Sequence, residues 1–288
     1  MDVPKDFQNR LEEFIASALR EDIGDGDHST LACIDPDAKG KAVLKIKDNG
    51  ILAGVDIAEK IFQFLEPTAV VTKFLHDGDS VTFGQEAFGV SAKISTILSC
   101  ERLVLNCMQR MCGIATLTKK YTERLKGYNT KLLDTRKTTP NFRLLEKEAV
   151  KIGGAFNHRF GLYDMIILKD NHIDFCGGII NAIDAAYEYV RRKNIGLKIE
   201  VEARSLDDVE KVIHNGKADR IMLDNFSPEK LREAMKLING KFETEASGGI
   251  TFDSIEDYAA TGVDFISSGA IIHQATSLDL SLKAELAQ

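Results

Sequence analysis

The chain has 288 residues, 44% hydrophobic and 28% charged, which suits a full-sized buried core and argues against intrinsic disorder. Its formal net charge is -7, so neither nucleic acid nor an anionic membrane is an expected partner. There is no run of about 18 apolar residues, the opening MDVPKDFQNRLEEF mixes both charges, and the five cysteines form no CxxC or zinc-ligand spacing; together these read as a reduced, cytoplasmic protein.

Phe7, Leu11, Phe14, Ile15, Ala18 and Leu19 recur at helical spacing, and the Gly/Asp-rich EDIGDGDHST predicts the end of that helix. Asp25 and Asp27 hint at a calcium loop, but the twelfth position counted from Asp25 is Pro36 where a glutamate is required. From residue 40 to 94, the β-like runs AVLKI, AVVTKFL and AFGVSAKI alternate with turns and are interrupted by one helical stretch, VDIAEKIFQFL, which predicts a small α/β sandwich. The segment HDGDSVTFGQ is similar to a hairpin of biotinyl or lipoyl carriers, yet it has no lysine at its tip and is read as structural. Residues 95 to 126 predict a helix joining two domains, with Gly113 as an interruption.

After that helix the texture becomes a repeat of apolar strand, polar strand end and amphipathic helix. The strand ends read LLDTRK (132–137), MIILKDN (165–171), KIEVEA (198–203), RIMLDN (220–225), ETEASGG (243–249) and FISSGA (265–270). Ser205 is placed to cap a helix ending near Gly216, and Ser227 with Pro228 to start another ending near Gly240. A parallel sheet with crossover helices follows, and in a β/α barrel catalytic groups sit at the C-terminal strand ends. An open doubly wound sheet stays as the alternative, although no GxGxxG or GxxxxGK[ST] is present. Arg136, Lys137, Arg143, His158, Arg159 and Lys169 crowd one short stretch of this acidic chain, which points to a small polyanion as ligand.

The ordered motifs DTRKTTP, RLLEKEAV, GGAFNHR, ILKDNHI, EVEA, IMLDN and EASGGI, with the upstream ERLVLNCMQRMCGIATLT, resemble the quinolinate phosphoribosyltransferases over nearly the whole chain. Two departures, Ala155 for a third glycine and Cys112 for a common serine, are expected to alter packing only. The resemblance implies an α/β protein: an N-terminal α/β sandwich (residues 1–112, joined by the tail 274–288) and an open seven-stranded, TIM-like α/β barrel (113–273). It also implies a reaction that joins quinolinate to phosphoribosyl pyrophosphate and gives nicotinate mononucleotide, pyrophosphate and carbon dioxide for NAD synthesis.

Planar guanidinium forks suit the two carboxylates of quinolinate, with lysines as point charges beside them. By resemblance these groups are Arg136, Lys137, Arg159 and Lys169, with Thr135 and His158 beside them; at its reference pKa of about 6.5 the histidine would be largely neutral. Arg102 matches an arginine that reaches into a neighbouring subunit's site, which implies a homodimer or larger homo-oligomer with shared sites. Glu202 and Asp224 match the family's carboxylate pair, which would steady the electron-poor ribose and hold Mg2+ directly or through water; Glu200, on the same strand face, is the reserve. Ser247, Gly248, Gly249, Ser268, Gly269 and Ala270 would supply the 5-phosphate site. Lys137 or Lys169 could protonate the ring carbon after decarboxylation, and the sequence does not choose between them. Arg143, Glu146 and Lys147 read as a solvated helix face and stay outside the site. The rival readings are a phosphoribosyltransferase for nicotinate or the molybdenum-associated paralogue, a Schiff-base aldolase using Lys169, and a noncatalytic anion-binding subunit.

Overall fold

The structure is a computed structural model that describes residues 7–285. The chain opens with α1 (Phe7–Ile23), α2 (His28–Cys33), β1 (Lys39–Ile46), β2 (Gly50–Ile51), α3 (Val55–Leu65), β3 (Val70–Lys73), β4 (Ser80–Val81), β5 (Glu86–Lys93) and the long α4 (Ile94–Arg124). Strand and helix then alternate through β6 (Lys131–Leu133), α5 (Arg143–Ile152), β7 (Ile166–Leu168), α6 (Asp170–Phe175), α7 (Ile179–Lys193), β8 (Ile199–Ala203), α8 (Leu206–Asn215) and β9 (Arg220–Asp224). The last elements are α9 (Pro228–Ile238), β10 (Glu243–Ser247), α10 (Ile255–Ala259), β11 (Phe265–Ser267), α11 (Ala270–His273) and β12 (Leu280–Glu285). Among the described residues, no helix is long and apolar enough to cross a membrane.

Packing divides the chain into two compact units: the described residues through Lys119 with Thr138–Gly154 and Ile271 onward, and Lys120–Lys137 with Ala155–Ala270. These limits are drawn differently from the expected domain boundaries at 112 and 273, because α5 packs with the first unit. The ring of Phe142, which precedes α5, meets Phe14 of α1 edge-on with centroids 5.5 Å apart.

In the first unit, β12, β1, β5 and β3 form an antiparallel sheet in that order, and Leu44 faces Leu282 on one side and Phe88 on the other. Helix α3 buries Ala58, Ile61 and Phe62, and the Phe62 ring meets Phe88 edge-on at 6.4 Å. Full burial of each such phenylalanine stabilises the unit by about 1.5–3 kcal/mol. Asp27 caps α2, accepting from Thr30 N at 3.1 Å and Thr30 Oγ1 at 2.6 Å, so the Asp25–Asp27 segment is a helix start.

Three details differ from the sequence reading. Helix α4 runs unbroken through Gly113, where a Cβ would lie 2.1 Å from Thr276 O; the glycine admits a crossing segment and leaves the helix intact. Cys112 does more than pack, since Ala53 N donates to its Sγ at 3.2 Å and the thiol donates to Ala53 O at 3.3 Å. Burial pushes that thiol up to about 12, which keeps its proton available for donation.

The third difference is α5, whose Glu146 and Lys147 are 0% and 2% exposed, not solvated. Glu146 accepts from Arg110 Nε at 3.0 Å, from Thr139 N at 2.8 Å and from Thr139 Oγ1 at 2.9 Å. Arg110 also donates to the Ile272 and Ala275 carbonyls, at 2.9 and 2.8 Å. Helical spacing alone is blind to such partners from elsewhere in the chain.

The second unit carries a parallel sheet of order β6-β11-β10-β9-β8-β7, and all six predicted strand ends fall on its strands. Beyond β6, Leu133 and Phe156 form one further parallel bridge, so the open barrel has six full strands and a single-bridge seventh position. Parallel register sets Glu200 beside Arg220, Glu202 beside Met222 and Ser247 beside Asp224, all on one strand face. The outer helices are capped as predicted: Ser205 Oγ accepts from Asp208 N at 3.1 Å, Ser227 Oγ from Lys230 N at 3.3 Å, and Gly216 closes α8 at φ 73°.

Candidate active site

The C-terminal strand ends of the second unit gather most of the predicted residues. Lys169 follows β7 as the N-cap of α6, and its Nζ lies 2.8 Å from Glu202 Oε2 at the end of β8. Asp224 ends β9 and accepts from Asn225 Nδ2 at 2.6 Å. Its carboxyl is raised above the usual range, first by burial and then by the charge of Glu202, with Lys169 opposing both. Two carboxylates next to a single lysine form an oxygen donor set that suits a further cation.

Next to this pair, the loop after β10 is held tightly against the loop after β9. Asn225, at φ 56°, donates its amide to Ser247 O at 2.8 Å, and a Cβ on Gly248 would lie 2.3 Å from Asn225 Oδ1. Gly248 adopts φ 91°, so glycine is required there for both space and backbone conformation. Gly249 follows at φ 63° with open space where a side chain would stand, which leaves the backbone approachable. Among the other predicted phosphate residues, the Ser268 amide already donates to Leu133 O at 3.0 Å, leaving its hydroxyl and the Gly269 and Ala270 amides.

The cationic side is organised by Asp134, a buried residue that the sequence reading passed over. It accepts from His158 N at 2.8 Å and from Asn157 Nδ2 at 2.7 Å, which ties the DTRK strand end to the GGAFNHR segment. Arg136 and Arg159 are thereby neighbours: the Arg159 guanidinium is lowered by burial first and by the charge of Arg136 second. Arg159 Nη1 donates to Met165 O at 3.1 Å, and the crowded guanidinium pair favours an arriving anion. Thr135 Oγ1 accepts from Lys137 N at 3.1 Å and so shapes the turn that presents Arg136 and Lys137 to solvent.

Beneath the guanidinium pair lies a charged layer the sequence did not reveal. His158 Nε2 stands 3.0 Å from Glu200 Oε2 and 3.1 Å from Glu245 Oε2, and Arg220 Nη1 is 3.1 Å from Glu245 and 3.9 Å from Glu200. Both carboxylates are 0% exposed and the histidine 7%. Burial opposes a charge on His158, whereas the two carboxylates favour a proton on Nε2 and raise the group above its usual value. Arg159 N donates to His158 Nδ1 at 2.6 Å, which leaves Nδ1 without a proton, so the ring carries its one proton on Nε2, between the two carboxylates. His158, Glu200 and Glu245 could ligate a metal by type, but Arg220 already supplies the balancing cation. Strand parity was the signal available: Glu245 is two residues before Ser247, as Glu200 is two before Glu202.

The structure separates the two candidate carboxylates, with Glu202 meeting Lys169 and Glu200 one layer deeper. The Lys169 side chain is half-exposed and paired with Glu202, not desolvated in an apolar pocket, one of the settings that frees a lysine amine for iminium formation. Arg102 lies on α4 in the first unit, exposed and without an ion pair among the described residues.

Comparisons with known proteins bear on the fold and the family. A family model described as quinolinate phosphoribosyl transferase, C-terminal domain, matches residues 114–283, and one described as the N-terminal domain matches 27–112. A chloroplastic nicotinate-nucleotide pyrophosphorylase [carboxylating] of Arabidopsis thaliana is 42% identical over 96% of this chain and 83% of its own length. A probable nicotinate-nucleotide pyrophosphorylase [carboxylating] of Synechocystis is 38% identical over 95% of this chain and 92% of its own. The crystal structure of NadC from Streptococcus pyogenes superposes over 100% of both chains with a TM-score of 0.91 at 38% identity.

Proposed function

The chain belongs to the quinolinate phosphoribosyltransferase family, and from that premise we infer that it transfers the phosphoribosyl group of phosphoribosyl pyrophosphate to quinolinate with decarboxylation. The products are nicotinate mononucleotide, pyrophosphate and carbon dioxide. The observation that carries this reading is the convergence, within one unit, of the Arg136–Arg159 pair and the Lys169–Glu202–Asp224 set.

Arg136 and Arg159 clamp the two carboxylates of quinolinate, with Lys137 and Lys169 as point charges. Loss of pyrophosphate leaves positive charge on the ribose, which Glu202 and Asp224 stabilise from the strand ends. The Ser247–Gly249 turn with Ser268, Gly269 and Ala270 holds the 5-phosphate, a role supported by the open backbone at Gly249. Once the ring nitrogen is quaternised, the ring itself takes up the electrons of decarboxylation, and Lys137 or Lys169 delivers the proton to the carbon left behind. Glu202 and Asp224 fit Mg2+, which would neutralise the pyrophosphate leaving group when bound.

A homodimer or larger homo-oligomer is supported by Arg102, an exposed cation with no ion pair among the described residues, which would complete a neighbour's site. Cytoplasmic placement is supported by five free cysteines, although the Arabidopsis relative is chloroplastic by name.

Purified protein given magnesium, phosphoribosyl pyrophosphate and either quinolinate or nicotinate is expected to release carbon dioxide and form mononucleotide with quinolinate alone. Turnover of nicotinate at a comparable rate would overturn the substrate assignment. Arg102→Ala is expected to depress turnover, and mixing it with Lys169→Ala should recover part of the activity through one intact shared site. Strictly additive activity in the mixture would argue against sharing.

A further inference from the structure

We propose that Glu245, braced by Arg220, is a positioning residue for the Arg159 clamp and acts on it through His158. The inference rests on Arg159 binding quinolinate, as proposed above.

The contacts form a continuous chain. Arg220 Nη1 meets Glu245 Oε2 at 3.1 Å, the same oxygen lies 3.1 Å from His158 Nε2, and His158 Nδ1 accepts from the Arg159 backbone amide at 2.6 Å. Arg220 is fixed from its other side by Glu243 at 3.2 Å. Both histidine nitrogens are thus engaged inside the protein. His158 orients the backbone that carries the guanidinium.

Stability alone does not account for this layer. Burying paired charges is seldom worth more than packing apolar side chains of similar volume. The fold accommodates the apolar choice at this depth, because Met222 stands beside Glu202 on one side and Glu245 on the other. What the charged layer adds is a fixed direction for the imidazole ring, since Glu245 is held between a guanidinium and Nε2. A clamp that must bind a planar dicarboxylate bidentately depends on that direction, whereas a phosphate loop on the far strand ends does not.

Three variants test the proposal. Glu245→Gln keeps the shape and removes the charge; it is expected to raise KM for quinolinate about tenfold while leaving KM for phosphoribosyl pyrophosphate and kcat nearly unchanged. The double variant Arg220→Leu with Glu245→Leu is expected to recover thermal stability but keep the raised quinolinate KM. Recovery of both, or equal effects on the two substrates, would reduce Glu245 to a structural residue and overturn the proposal. Arg159→Lys separates the two readings: an unchanged quinolinate KM there means the clamp assignment fails, whereas a raised KM with a normal Glu245→Gln enzyme means only the positioning role fails.

Discussion

Glu202→Gln is expected to lower kcat by about 10² to 10³, the cost of losing one preorganised electrostatic partner of the transition state. The substitution preserves volume and leaves an amide oxygen opposite Lys169 Nζ, now 2.8 Å from the carboxylate. What it removes is one of the two charges proposed to face the ribose as pyrophosphate departs, and with it half of the oxygen donor set shared with Asp224. With the proposed ground-state contacts of quinolinate on the Arg136–Arg159 side, KM for quinolinate should move far less than kcat. Steady-state rates at saturating substrates check this, and an unchanged kcat would refute the role. The same substitution at Glu200, one layer down against His158 at 3.0 Å, is expected to have the smaller effect on kcat.

The second large effect is on stability. Glu146→Ala is expected to destabilise the first unit by about 3–5 kcal/mol, because it strands a charge whose partner is removed. Arg110 would keep its bonds to the Ile272 and Ala275 carbonyls but lose the only carboxylate that balances it among the described residues. Thr139 would lose the acceptor of both its amide and its hydroxyl. Urea unfolding measures the change, and a loss below about 1 kcal/mol, the range of an exposed ion pair, would show that the helix face is solvated after all.

The charge pattern of the pocket was legible in the sequence because it is local. Arg136, Arg159, Lys169, Glu202 and Asp224 each close a strand or the segment after one, and strand ends of a parallel sheet lie at one edge whatever the register. Helix caps were legible for the same reason, since Ser205 and Ser227 bond to amides three residues on. Gly113 was misread although its position was noticed, because a glycine that breaks a helix and one that admits a crossing chain look alike until Thr276 is placed against it.

The tertiary structure alone decided which charges are buried and with whom. His158, Glu200, Arg220 and Glu245 come from four separate segments, and their meeting depends on β8, β9 and β10 pairing so that Glu200 falls beside Arg220 and Glu245 one layer above. A slip of one residue would turn each of these charges to the opposite face, and nothing in local propensity records the register. The sequence by itself determined the strand–helix alternation, the caps and the family, all carried by neighbours in the chain. Burial, ion pairing and protonation belong to contacts across the chain, and those exist only once the sheet has formed.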